Sequence, residues 1–151
     1  MILASTTFII KDSQILLGFK KRGFGMNKWS TFSGKLDRDE NYIEAARREV
    51  FEECGLNILS LEERAVIKFA WNNNNDKFEV HVFQALKFEG QVEESEEMIP
   101  EWFDLDKIPY DKMWPDNKLW WPLFLAGKKI KASFLYGEKN KLLEHKIDLM
   151  P

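Results

Sequence analysis

Four acidic residues set at fixed intervals between two glycines constrain this chain more than any other feature. The segment from Gly34 to Leu56 reads GKLDRDENYIEAARREVFEECGL; the four acids meant are Glu40, Glu49, Glu52 and Glu53, with Gly34 and Gly55 at the flanks. Asn41 is a good N-cap, and Glu44 three residues on completes a capping box. Gly55 suits the left-handed residue that ends a helix. A helix is therefore expected over Tyr42–Cys54. At 100° per residue, Ile43, Ala46, Val50 and Cys54 form an apolar stripe. Glu49, Glu52 and Glu53 stand at i, i+3 and i+4 and share the neighbouring face. Carboxylates placed side by side repel one another. A hard divalent cation, Mg²⁺ or Mn²⁺, removes that cost because such ions take oxygen ligands. Arg48 lies one turn before Glu52, within reach of a charge-assisted hydrogen bond. A bare E-x-x-E-E is more often a solvated acidic face; here the surrounding spacing sets it apart.

That spacing runs Gly34, five residues, Glu40, seven residues, then Arg48-Glu49-Val50-Phe51-Glu52-Glu53-Cys54-Gly55-Leu56. It resembles the Nudix box, G-x5-E-x7-R-E-U-x-E-E-x-G-U with U aliphatic, at every fixed position. The resemblance implies an α/β fold, an α/β/α sandwich around a mixed β-sheet. It also implies metal-assisted hydrolysis of a nucleoside diphosphate linked to another group.

Composition agrees. A chain of 151 residues is expected to form a single domain, residues 1–151, with a full core. The net charge of −3 argues against a broad basic surface for a nucleic acid polymer and favours a small nucleotide as partner. The lone cysteine, Cys54, excludes an internal disulfide and fits a reducing compartment. Its place on the apolar stripe makes it a buried thiol and not a nucleophile. One cysteine and two histidines leave no ordinary zinc site. The N-terminus lacks a basic region before its short apolar run, so no signal peptide is expected, and no stretch is long enough to span a membrane. A cytoplasmic monomer is the expectation, with mitochondrial or nuclear placement left open.

Thr6–Ile10 and Gln14–Lys20 read as strands around a turn at Lys11–Ser13. Lys21–Lys28 reads as a loop, and Trp29–Phe32 leads into a glycine turn before the box helix. Leu56–Phe69 continues toward a strand, Asn72–Asp76 is a hairpin turn, and Phe78–Phe88 is a strong strand. Glu93–Glu97 is an acidic loop, Trp102–Phe103 a short strand, and Ile108-Pro109 opens a turn. Trp120–Leu125 suits a second helix, and the tail from Lys131 reads as strand and turn.

Outside the box, LLGFKKRGFG (Leu16–Gly25), HVF (His81–Phe83), EEMIPEWFDLDKIPYDKMWPD (Glu96–Asp116) and LWWPL (Leu119–Leu123) resemble the MutT-homologue branch of the family. Those enzymes are oxidised purine nucleoside triphosphate diphosphatases that sanitise 8-oxo-dGTP. The resemblance runs from about Leu16 to about Gly137 and implies hydrolysis of a triphosphate to the monophosphate and pyrophosphate. It implies that Gly34 offers a backbone carbonyl to the metal and that Glu49, Glu52, Glu53 and Glu97 supply carboxylates. The general base stays open among Glu53, Glu52 and Glu97. Lys20 matches a pocket lysine, and Lys21 and Arg22 are further candidates for phosphate contact.

A purine has two π faces, so its pocket should be aromatic. Phe24, Phe32, Phe69, Trp71, Phe78, Trp114 and Trp120 are the candidates, with Phe32 and Trp114 foremost. Asp116 matches an acid that reads the base edge, and a carboxyl kept protonated in a dry pocket donates to a purine oxygen.

Three positions depart from the branch pattern: Ser30 where Asn is usual, Asn117 where a second aspartate follows the first, and Ser33 where a glycine precedes Gly34. The first two change the donor and acceptor set of the pocket. An aspartate pair shares a proton and so adapts to different purines; Asn117 removes that adaptability. "Modified purine triphosphate hydrolase" is therefore the reading, ahead of 8-oxo-dGTP in particular. Two rivals are a Nudix enzyme on a dinucleoside polyphosphate or sugar nucleotide, and a non-catalytic nucleotide-binding module. The aromatic segments argue against the first and the complete carboxylate set against the second.

Overall fold

The structure, a computed structural model, describes residues 1–151. One mixed nine-stranded sheet forms the middle layer. Its strands are β1 (Ile2–Lys11), β2 (Gln14–Lys20), β3 (Trp29–Ser30), β4 (Phe32–Lys35), β5 (Asn57–Trp71), β6 (Lys77–Glu89), β7 (Met98–Asp104), β8 (Lys129–Tyr136) and β9 (Leu142–Met150). The order is β3-β2-β1-β6-β5-β8-β9, with β4 also on β1 and β7 also on β2. The β1–β6 and β5–β8 pairs are parallel and the rest antiparallel.

Two helices, α1 (Tyr42–Cys54) and α2 (Asn117–Leu125), lie on opposite faces. Strand alternation shows this directly, since successive side chains leave a strand on opposite sides. Phe8, Ile15 and Leu17 join the α2-side core with Trp121, Phe124 and Tyr136. Their chain neighbours Ile9 and Leu16 join the α1-side core with Val50 and Cys54. The expected sandwich is what forms.

Helix α1 has the expected bounds. Asn41 Oδ1 accepts from Glu44 N–H at 2.8 Å, and Glu44 Oε1 accepts from Asn41 N–H at 3.0 Å. Gly55 ends it in the left-handed region at φ 82°. Its inner face differs from the expected stripe: Ala45, Ala46, Val50, Glu53 and Cys54 are buried, while Ile43 is exposed. The stripe is rotated so that Glu53, a carboxylate, faces inward.

Several other elements extend past their expected bounds because tertiary partners override local signals. Strand β1 starts at Ile2, where β6 pairs with it in parallel. Strand β7 spans Met98–Asp104 despite Pro100, which is tolerated because β7 pairs only with β2 and lies at an edge. Gly34 sits inside β4, opposite Ser5, and not in a turn. Helix α2 begins at Asn117, three residues before the expected Trp120. Pro122 therefore falls inside it, where a first-turn position would have been the cheaper place for proline.

The end of α2 is held from below. The buried Arg64 guanidinium donates to the carbonyls of Phe124 and Lys128, the latter at 2.9 Å, and to Gln84 Oε1 at 2.6 Å. It also lies over the Phe124 ring, 4.1 Å from its centroid. A cation at a helix C-terminus satisfies orphan carbonyls and meets the negative end of the dipole. Arg64→Met removes the guanidinium bonds to both carbonyls, leaving Phe124 O only its bond from the Gly127 N–H, and is expected to cost about 2–4 kcal/mol in urea unfolding. A loss below about 0.5 kcal/mol would remove Arg64 from this role.

Candidate active site

The site begins with Arg48. Its Nε and Nη2 donate to the two carboxylate oxygens of Glu40 at 2.8 and 2.9 Å, a bidentate grip. Its Nη1 donates to Glu49 at 2.7 Å and Glu52 at 3.2 Å, and Nη2 also donates to the Lys35 carbonyl at 3.0 Å. One guanidinium thus ties the loop after β4 to the acidic face of α1. Sequence reasoning placed Arg48 against Glu52; the stronger partner is Glu40, whose carboxyl it holds below the usual range.

Glu53 is the innermost acid of α1, 3% exposed, and its Oε1 accepts from the Ser33 N–H at 2.9 Å. Burial pushes its pKa up to about 8, with the negative charge of Glu49 adding to the effect. Burial also raises the Glu49 carboxyl, against the pull of Arg48. Glu52 stays 56% exposed at the helix surface. Gly34 fits under Glu49 only because it has no side chain: a Cβ there would lie 2.0 Å from the Glu49 carboxyl carbon.

Glu97 approaches from the acidic loop. It accepts from Arg22 Nε at 2.9 Å and pairs with Lys20 Nζ at 3.2 Å. The Arg22 hydrogen bond, chiefly, keeps its pKa low. Lys21 pairs with Glu94 at 2.6 Å, and Arg22 also meets Glu96 at 3.2 Å. Acidic neighbours engage Lys21 and Arg22, the further candidates for phosphate, and Lys20, itself paired with Glu97, is the one of the three that lines the cavity.

That cavity is about 310 Å³ and opens beside Glu53 and Gly34. Phe24, Phe69, Trp71, Phe78, Trp114, Asp116, Asn117 and Trp120 all line it, with Lys20 and Ser30. Phe24, at the exposed rim, stacks on Trp114 at 5.1 Å between centroids.

Phe32 does not take part. It is fully buried in the α1-side core with Met98 and Val50. The reason is the period of two: Ser33 pairs with Thr6 and faces the cavity, while Phe32 pairs with Thr7 and faces the other way.

Asp116 is 2% exposed at the α2 end of the cavity. Its Oδ1 accepts from Tyr136 O–H at 2.5 Å and its Oδ2 from Trp120 Nε1–H at 2.8 Å. Burial drives its pKa upward against those two bonds. Tyr136 went unnoticed in the sequence, as did the cavity-lining Thr6 and Thr31. The alternation of Ala132, Phe134 and Tyr136 signals one strand face but not which side of the sheet it joins.

Fit to a divalent cation rests on the donor set. Glu49, Glu52, Glu53, Glu97 and the Gly34 carbonyl are all hard oxygen donors, as Mg²⁺ or Mn²⁺ requires. The mutual repulsion of Glu49 and Glu53 is the kind of strain that a cation relieves. No three acidic, histidine or cysteine side chains converge at ligating geometry here. Glu49 is turned to Arg48, and Glu97 to Lys20 and Arg22.

An acidic helix thus packs beside an aromatic cavity, on a mixed sheet covered on both faces. Comparison with known proteins gives the family. The model of the NUDIX domain matches residues 2–124, and the chain belongs to the Nudix family. It is 42% identical over 146 residues to the zebrafish (Danio rerio) protein named oxidized purine nucleoside triphosphate hydrolase, covering 97% of this chain and 94% of that one. It is 37% identical to the mouse (Mus musculus) protein of the same name, covering 96% and 93%. In fold it is similar to the crystal structure of the mMutator MutT protein from Bacillus halodurans, with TM-score 0.86, 21% identity and 98% of each chain covered.

The raised Asp116 carboxyl has a sign that can be checked. An acid that holds its proton more tightly when folded gives full stability below its unfolded pKa, ordinarily 3.8, and gives it up as pH rises through the folded value. The stability of the wild type relative to Asp116→Asn is therefore expected to be greatest near pH 4 and to shrink toward pH 8, read as thermal midpoints. A difference that stays constant would show Asp116 ionised throughout.

Proposed function

We propose that this Nudix protein hydrolyses oxidised or otherwise modified purine nucleoside triphosphates to the nucleoside monophosphate and pyrophosphate, with Mg²⁺ as cofactor and Mn²⁺ as the alternative. The observation that carries this is one continuous cavity. Its walls are aromatic, its α2 end holds the buried carboxyl of Asp116, and its other end meets Glu53, Gly34 and Lys20. A purine fits between the aromatic walls, and its phosphates then lie toward the acidic helix. The names of the zebrafish and mouse relatives support the same substrate class.

In this reading Gly34 (through its carbonyl), Glu49, Glu52, Glu53 and Glu97 hold the cation, which supplies charge neutralisation and an acidified water. Glu53 is the general base: it is buried, and the Ser33 N–H fixes one of its oxygens. Arg48 positions Glu49 and Glu52. Lys20 takes phosphate charge. Phe24, Phe69, Trp71, Phe78, Trp114 and Trp120 stack on or enclose the base, while Asp116, Asn117 and Ser30 read its edge. The buried thiol of Cys54 supports a reducing compartment such as the cytoplasm.

The test is pyrophosphate release with Mg²⁺ from 8-oxo-dGTP, 2-hydroxy-dATP, methylated purine triphosphates, unmodified dNTPs and a dinucleoside polyphosphate. Preferential turnover of a modified purine triphosphate is expected, falling about 10³-fold in Glu53→Gln. Turnover of the dinucleotide alone, or none, would overturn the proposal. Gly34→Ala drives a methyl into the Glu49 carboxyl and is expected to weaken Mn²⁺ binding by about tenfold or more in a spectroscopic titration.

A further inference from the structure

The sequence replaces an adaptable second aspartate with Asn117, a residue of fixed donor and acceptor. Three hydroxyls elsewhere on the cavity wall have no such fixed polarity. Thr6 Oγ1 lies 2.5 Å from Thr31 Oγ1 and 2.6 Å from Ser33 Oγ, and all three residues line the cavity. Thr6 and Thr31 are 6% and 5% exposed, so neither hydroxyl has bulk water to fall back on. Ser33 Oγ has a further acceptor, the Thr31 carbonyl, at 3.3 Å. The Ser33 backbone is held at this end by its N–H bond to Glu53, while its hydroxyl hydrogen stays free to rotate.

Each hydroxyl has one donor and two lone pairs, and its hydrogen rotates. Thr6 Oγ1 also has the Phe32 carbonyl at 3.5 Å; with that long contact unused, two polarities keep both short bonds. In one, Thr31 donates to Thr6, Thr6 to Ser33, and Ser33 to the Thr31 carbonyl; a lone pair on Thr31 Oγ1 is left to accept. In the other, Ser33 donates to Thr6 and Thr6 to Thr31, and the Thr31 O–H is left to donate. Only the long 3.3 Å bond is exchanged between them. We propose that Thr6, Thr31 and Ser33 form a reversible hydroxyl relay that reads the edge of a bound purine, accepting from an amino group in one polarity and donating to an oxo group in the other. This rests on the purine reading of the substrate. It makes Thr6 a specificity-determining residue that acts through Thr31, and it lets one cavity take both adenine-type and guanine-type bases.

Breaking the relay at Thr6 has an unequal effect. Toward an oxo group, Thr31 still donates. Toward an amino group, Thr31 accepts while its own hydrogen is left without a partner, and an unpaired buried donor is costly. The test uses the full chain and pairs of purine nucleoside monophosphates that differ by amino for oxo at C2, C6 or C8. Their binding needs neither metal nor hydrolysis. Thr6→Val is expected to shift the amino/oxo ratio of dissociation constants by about tenfold against the amino member of one pair. Thr6→Ser restores the ratio, and Thr31→Val weakens both members. A ratio within about twofold of wild type for every pair, or a shift that follows the sugar instead of the base, overturns the relay. Wild-type protein that binds these monophosphates but releases no pyrophosphate from the triphosphates refutes the hydrolase reading, and the ratios still judge the relay. Wild-type protein that binds none of them overturns both.

Discussion

Strand β1 has its backbone bonded along both edges, and the site depends on that constraint. One edge pairs in parallel with β6 over Ile2–Phe8. The other divides: Ala4–Thr7 pair with β4, and Ile9–Lys11 pair with β2. A strand held this way cannot slip by one residue, because a slip would exchange Phe8 and Ile9 between the two cores. The same lock fixes β4. Ser33 must face the cavity and Gly34 must lie under Glu49, so the cradle for the acidic helix follows from sheet register.

Electrostatics then decides how the helix sits. Three carboxylates within two turns repel, and the chain handles each differently. Glu49 leans on Arg48, Glu52 remains in water, and Glu53 is buried with its charge disfavoured. Arg48 is the common partner, and through Glu40 and the Lys35 carbonyl it ties the same helix to the loop that leads into it. Truncating it would release loop and carboxylates together.

The sequence made the box helix legible because its signals are local. Asn41, Glu44 and Gly55 lie within a few residues of the ends they set, and the helix has the bounds they imply. The aromatic residues of the cavity were legible chiefly through family resemblance, since stacking partners such as Phe24 and Trp114 are far apart in the chain. Phe32 was misplaced because a strand of four residues carries too little pattern to show which face is which; its pairing with Thr7 decides that, and pairing is long-range. Tyr136, Thr6 and Thr31 escaped for the same reason: their value lies in contacts with Asp116 and with one another. Ile43 fits an apolar periodicity, yet α1 turns Glu53 inward and leaves Ile43 in water.

The ion pairs between the end of β2 with its following residues and the acidic loop bear on how a highly charged ligand arrives. Three cations, Lys20, Lys21 and Arg22, pair with three carboxylates, Glu94, Glu96 and Glu97, so the patch that adjoins the cavity through Lys20 is locally close to neutral. A polyanion approaching a protein of net charge −3 thus meets little repulsion at this patch and little long-range attraction. Exchange of Glu97 for an anionic group at Lys20 is a short-range step, and it responds weakly to ionic strength because exposed pairs that already screen one another leave little field for salt to dampen.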